Sequence, residues 1–159
     1  VNLYRFTVVD LQILTSKQFE LLKLWSKGLS LSEIASKLDV SRQAAHKGIQ
    51  IAEAKVYKAL MSTAKASIIE VKKINAKKGF LVGWSPWLRN EVYITLSPRN
   101  GLQIWFKHEA DCSKCTLRDD CKRVLLNEME DRGVNIEGAE DMEPSRLAEK
   151  LFSKLKEEL

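Results

Sequence analysis

Along the first third of the chain, apolar residues recur at spacings of three and four, and polar clusters that can start helices break the runs. Leu14 precedes Thr15-Ser16-Lys17-Gln18, a capping box in which the threonine hydroxyl accepts an amide and the glutamine reaches back to the cap. A helix is predicted from about Ser16 to Lys27, with Phe19, Leu22 and Trp25 on one face and Leu21 and Leu24 close by. Gly28 supplies a left-handed stop. Ser30-Leu31-Ser32-Glu33 is a second capping box, opening a short helix that turns Ile34, Ala35 and Leu38 inward. After the Asp39-Val40 turn, Ser41 can cap a third helix. Its polar face carries Arg42, Gln43, His46, Lys47 and Gln50, and its apolar face Ala45, Ile49 and Ala52. Three helices in this order, with a basic and polar outer face on the third, make a helix-turn-helix DNA reader. A plain three-helix bundle is the alternative.

The residues Leu14-Thr15, Leu22, Gly28-Leu29-Ser30, Glu33-Ile34-Ala35, Leu38 and Val40-Ser41 also carry a resemblance. Over residues 14–60 the chain resembles LuxR-type domains, sigma factor region 4 and the archaeal Tfx-like regulators, the Tfx-like version most, because the third helix runs on through AEAKVYKAL. The resemblance implies a helix-turn-helix fold, double-stranded DNA as partner and transcription regulation as role. It does not extend to the C-terminal part.

Neither proline nor a turn cluster occurs between Ser41 and about Lys73, so the third helix is expected to continue for about 33 residues, roughly 50 Å. Gly48 interrupts it at a cost near 1 kcal/mol. Ile49, Ala52, Val56, Ala59 or Leu60, and Thr63 keep the helical spacing, and Ile68, Val71 and Ile74 prolong the stripe. Two readings stand: a homodimer seam that sets two readers one DNA turn apart, which is preferred, and packing on the chain's own C-terminal part. Three segments follow: 1–62 as the reader, 63–78 as a helical basic linker or dimerisation helix, and 79–159 as a second domain.

Beyond Gly79 the period changes. Val92–Leu96 and Leu102–Phe106 read as strands around Ser97-Pro98-Arg99-Asn100-Gly101, a β-hairpin that a strand over Phe80–Trp84 can join. Trp84, Trp87, Tyr93 and Trp105 are read as core in preference to a base-stacking platform. Tyr4, Phe6 and Val8 suggest a short N-terminal strand or arm. A helix after Cys121 should end at Gly133, and Pro144 should open a last helix with Leu147, Leu151, Leu155 and Leu159 on one side. The predicted class is α+β, mainly α.

Composition adds charge asymmetry. Residues 1–78 hold 14 Lys/Arg against 6 Asp/Glu, and residues 79–159 hold 12 against 15. The basic half is the one that contains the reader, the footprint expected for phosphate neutralisation. No apolar run approaches the roughly 18 residues of a membrane span, and the first residues lack a signal core, so a cytoplasmic protein is expected.

The chain has three cysteines, all within ten residues. Cys112 and Cys115 form a C-x2-C pair, Cys121 follows, and His108 precedes. One nitrogen and three thiolates can close a tetrahedron around Zn²⁺ as a structural site. An iron–sulfur cluster is the alternative, as in a redox-sensing regulator; it would need His108, a partner or solvent for its fourth ligand. Without metal the thiols are small buried groups or a reversible Cys112–Cys115 disulfide. Neither a phosphate loop nor a nucleophile elbow occurs, so no enzyme is expected. The function that combines these readings is a sequence-specific regulator with Arg42, Gln43, His46, Lys47 and Gln50 on bases and Ser30 and Ser41 near phosphates. The alternative is a helix-turn-helix protein-interaction module.

Overall fold

The computed structural model describes residues 13–107, 109 and 111–159. The arm or strand expected around Tyr4, Phe6 and Val8 lies outside the described residues, as does His108.

Three helices come first: α1 (Ser16–Ser26), α2 (Leu31–Lys37) and α3 (Arg42–Ala66). An antiparallel sheet follows, in the order β1 (Glu70–Asn75), β2 (Phe80–Ser85), β3 (Asn90–Ser97) and β4 (Gly101–Phe106). Then come α4 (Arg118–Arg132) and α5 (Pro144–Glu157). The α+β class holds, with a sheet of four strands where a hairpin and a possible third strand were expected. Both predicted capping boxes form: Thr15 with Gln18, and Ser30 with Glu33. Pro144 starts α5 and turns Leu147, Leu151 and Leu155 into the core.

The sheet is a central layer, because successive side chains along a strand point to opposite faces. Leu81, Val92, Ile94 and Leu96 on one face pack with Ala52, Val56, Leu60 and Ala64 of α3 and with Leu14 and Leu22. Phe80, Val82, Tyr93 and Trp105 on the other meet Val124, Leu125 and Met129 of α4 and Leu147, Leu151, Phe152 and Leu155 of α5. Phe152 stacks on Tyr93 with centroids 4.6 Å apart and meets Trp105 edge-on at 5.1 Å. The Trp105 indole donates to Thr95 Oγ1 at 2.8 Å, so a buried polar pair is satisfied. Of the aromatic residues expected in the core, Tyr93 and Trp105 are there. Trp84 is half-buried, and Trp87 is exposed, because it sits at the tip of the β2–β3 turn.

Two expectations about α3 are corrected. The stripe Ile49, Ala52, Val56, Leu60 and Ala64 is covered within the chain, its distal part by the chain's own sheet, so it is not free to serve as a seam between copies. The helix also stops at Ala66 and does not continue to Lys73; residues 70–75 are a strand. The stop is a Schellman closure: the Ile69 amide donates to Ala64 O at 2.8 Å and the Ile68 amide to Lys65 O at 3.2 Å. Ile68 takes the left-handed position at φ 54°, which a β-branched residue rarely occupies. The same closure ends α1 at Gly28, α2 at Asp39 and α4 at Gly133.

One buried polar node ties α4 to the sheet. The Arg132 guanidinium, 2% exposed, donates to Lys78 O at 2.7 Å, Gly79 O at 3.1 Å and Leu96 O at 3.2 Å, and pairs with the Glu128 carboxylate. The second Glu128 oxygen accepts from Ser97 Oγ at 2.8 Å and Asn100 Nδ2 at 2.6 Å. Gly79 is required beside it, since a Cβ there would lie 2.2 Å from Leu96 O and φ is +61°.

Replacing Arg132 by Met is expected to lower unfolding stability by about 3 to 5 kcal/mol, because Glu128 is left as an unpaired buried charge. The further change Glu128→Gln, which keeps an acceptor oxygen for Ser97 and Asn100, should restore part of the loss. Urea unfolding of both variants checks this, and a single-variant loss under about 1 kcal/mol would contradict the buried pair.

Candidate nucleic-acid interface

The reader is built from the helix ends inward. Ser41 Oγ accepts the Ala44 amide at 3.0 Å and fixes the first turn of α3. The connection from α2 is short, and Asp39 takes its left-handed position at φ 50°, a conformation aspartate tolerates better than most residues. Ile34 and Ala35 of α2, Leu21 of α1, and Ala45 and Ile49 of α3 form the small core that sets the three axes. Gly48 has a packing reason: a Cβ there would lie 2.6 Å from Leu21 Cδ1. In the sequence it reads only as a weak point of the helix; here it lets α1 approach α3 closely.

With Ala45 and Ile49 turned inward, Arg42, Gln43, His46, Lys47 and Gln50 all stand exposed over the first two to three turns of α3. The structure thus brings together on one surface the five side chains expected to read bases. They offer guanidinium, amide, imidazole and ammonium donors beside a helix N-terminus, where backbone amides favour negative charge. The two serines divide. Ser30 Oγ accepts the Glu33 amide and lies 2.8 Å from Glu33 Oε2, whose carboxyl is held below its usual range, first by the Ser30 backbone amide. Its hydroxyl is committed to the cap. Ser41 keeps its own proton free after accepting from Ala44.

Contacts invisible in the sequence fix this unit to the sheet. The Trp25 indole donates to Glu53 Oε1 of α3 at 2.8 Å, while Lys77 of the β1–β2 turn lies 4.0 Å above the Trp25 ring. Lys55 reaches back to Gln18 Oε1 at 3.0 Å. The neighbouring cavity is lined by α1, the two turns and Arg132, and the buried Ser26 Oγ on its lining has no hydrogen-bond partner among the described residues.

The cysteine segment lies apart from the reader. Cys112–Lys114 is one 3₁₀ turn, with the Cys115 amide donating to Cys112 O at 3.3 Å, and Cys121 follows in the first turns of α4. All three thiols are free and half-buried. Burial, together with Cys112 and Cys115 nearby, pushes the Cys121 thiol up to about 11. Among the described residues no three His, Cys, Asp or Glu side chains converge as ligands of one ion, so the expected Cys/His cluster is not assembled by them. Its fourth member, His108, lies outside the described residues. Basic residues close by in the sequence are engaged elsewhere: Arg118 pairs with Glu143 at 2.6 Å and Lys122 meets Met142 O.

Residues 3–73 match the model of a family described as "putative helix-turn-helix protein, YlxM / p13 like". The match supports a helix-turn-helix over that segment, and it ends inside β1. No curated protein and no solved structure matches the chain. No described helix is long and apolar enough to cross a membrane.

Ser41→Ala should lower stability by about 0.5 to 2 kcal/mol through loss of the cap that starts the reader helix. Thermal unfolding measures it, and an unchanged midpoint would mean that the cap contributes nothing.

Proposed function

We propose that the chain is a sequence-specific DNA-binding transcription regulator whose reader is of the LuxR, sigma region 4 and Tfx-like type. The first turns of α3 enter the major groove. Arg42, Gln43, His46, Lys47 and Gln50 face base edges, with Arg and Gln able to make two hydrogen bonds to guanine and adenine respectively. Ser41 and the helix N-terminus face phosphate; Ser30 is the weaker candidate because its hydroxyl serves Glu33. The observation that carries the reading is the common exposed face of those five side chains on a helix held by α1 and α2. The basic balance of residues 1–78 supports it. A seam along the buried α3 stripe is not part of the proposal.

The rival reading, a helix-turn-helix that binds protein, separates by salt. A reader should lose DNA affinity steeply as salt rises, in proportion to the phosphates it neutralises. Arg42→Ala should weaken a selected site by about 1 to 3 kcal/mol and relax preference at one base position. Fluorescence-anisotropy titrations on a selected duplex and on random duplex give both results. Equal loss on the two duplexes would remove the base-reading role, and no DNA binding at low salt would favour the protein-binding module.

For the cysteine segment we propose zinc in preference to an iron–sulfur cluster. The chain holds three cysteines, so a closed tetrahedron takes Cys112, Cys115 and Cys121 with the His108 nitrogen, a set that suits zinc. Elemental analysis of anaerobically purified chain should find about one zinc per molecule, reduced in Cys112→Ser. Iron with visible absorbance would replace this with the redox-sensing reading. Neither metal would leave the thiols as structural groups.

A further inference from the structure

At the end of the sheet remote from the reader, large apolar side chains stand in solvent. Trp87 is 79% exposed, Ile68 59%, Leu88 55% and Val71 37%. The register places them together. Glu70 pairs with Trp84 and Ser85 with Asn90, so the start of β1, with Ile68 just before it, lies level with the turn that carries Trp87, Leu88 and Arg89. Scattered exposed apolar residues are ordinary, but a clustered set with a tryptophan and an arginine has the composition of a binding anchor. Of the three non-glycine residues at positive φ among the described residues, two, Ile68 at 54° and Arg89 at 48°, are also here. At Ile68 the helix-ending closure leaves a β-branched side chain in solvent in a backbone conformation it rarely adopts.

Charge decides the kind of partner. Lys72 lies 4.9 Å from the centre of the Trp84 ring, and Lys73 and Arg89 are exposed; none of the three forms an ion pair among the described residues. Of the carboxylates at this edge, Glu91 is taken by Lys156 at 2.7 Å and by the Tyr93 hydroxyl at 2.6 Å, which leaves Glu70 among the described residues against the three cations. The rim is positive and the centre apolar. β1 is also an edge strand, with a bulge between Val71 and Lys73.

We infer that this end of the sheet docks an acidic, apolar segment of another protein, seated on Trp87, Leu88, Ile68 and Val71 and paired by Lys72, Lys73 and Arg89. Nucleic acid is the less favoured occupant on geometric grounds. The 25 residues of α3 span about 37 Å, and Ile68 and the tip lie at its far end from Arg42. That step rests on the reader assignment; the apolar cluster and its charge do not.

The test uses the full chain and three fluorescein-labelled synthetic peptides: alternating Asp/Glu with Leu/Phe, the same with Lys for Asp/Glu, and the same with Ser for Leu/Phe. Anisotropy should show saturable binding of the first, at least tenfold weaker binding of the other two, and at least a tenfold loss for Trp87→Ala and for Arg89→Glu. Binding to the reader's duplex should be unchanged in both variants. Ile68→Gly, which relieves the positive φ, should fold at least as stably as the parent and bind the acidic peptide more weakly, so that loss of binding is separated from loss of fold. Equal binding of acidic and basic peptides, or full binding by Trp87→Ala, overturns the inference. So does a drop in DNA affinity for Trp87→Ala, which would make the tip a DNA contact, or a concentration-dependent dimer abolished by Trp87→Ala, which would make the occupant a second copy. Loss of DNA binding in Arg42→Ala with peptide binding intact bears on the reader alone.

Discussion

The molecule is organised around one guanidinium. Arg132 donates into the carbonyls of Lys78, Gly79 and Leu96, at the two turns that the sheet presents toward α1, and its charge is met by Glu128 from one helical turn earlier. A buried ion pair alone seldom adds stability, because desolvation offsets attraction. What this one supplies is definition. Gly79 O also accepts the Leu96 amide at 2.8 Å, whereas the Lys78 and Leu96 carbonyls receive the guanidinium only if α4 lies at one height and rotation against the sheet. Arg99, held by Asp131 at 2.9 Å and Glu130 at 2.8 Å, repeats the tie from the β3–β4 turn. With α4 placed, Val124, Leu125 and Met129 come over the sheet and α5 closes the layer.

The turns gripped by Arg132 also meet the reader. Lys77, next to the Lys78 and Gly79 carbonyls that accept from Arg132, lies over the Trp25 ring, and the Trp25 indole in turn donates to Glu53 on α3. The distal half of α3 is itself part of the core beneath Leu81, Ile94 and Leu96. Reader and sheet therefore share a helix, a hydrophobic cluster and a polar chain, and not merely a covalent linker. Burying Val56, Leu60 and Ala64 removes several apolar side chains from water at about 1.5 to 3 kcal/mol for each of the larger ones, far more than a surface contact supplies. That magnitude explains why the chain's own sheet takes the stripe.

How much of this was legible follows from which residues carry unambiguous physics. Thr15, Ser30 and Ser41 start helices as read, because a side-chain cap is local chemistry. Gly28 and Gly133 end helices as read, because glycine occupies the left-handed position without a steric penalty. Ile68 makes the same closure and left no trace in the sequence: an isoleucine there is disfavoured locally and is held by the Ile69–Ala64 contact and the strand that follows. The apolar residues at 68, 71 and 74 fit a helix spacing, and the lysines between them suited a linker, so β1 was hidden. The five exposed positions of the reader were legible since they follow from alternation with Ala45 and Ile49. The loss of Ser30 as a free donor was not, because a capping box does not reveal where its serine proton points. Trp87 was misread since a lone tryptophan in a turn looks like core until the register places it at a tip.

A rigid shared helix also limits what regulation can be. Allosteric coupling requires an element with two arrangements that ligands at separate sites bias differently. Between Arg42 and the far end of the sheet lie one continuous helix, a packed layer and a satisfied polar node, none of which has an alternative partner in the described residues. A partner held at the Trp87 end would therefore act on a DNA-bound chain chiefly by proximity, raising its local concentration, and would leave the intrinsic DNA affinity nearly as it was. The exception is the cavity lined by α1, the two turns and Arg132. There the buried Ser26 hydroxyl has no hydrogen-bond partner among the described residues.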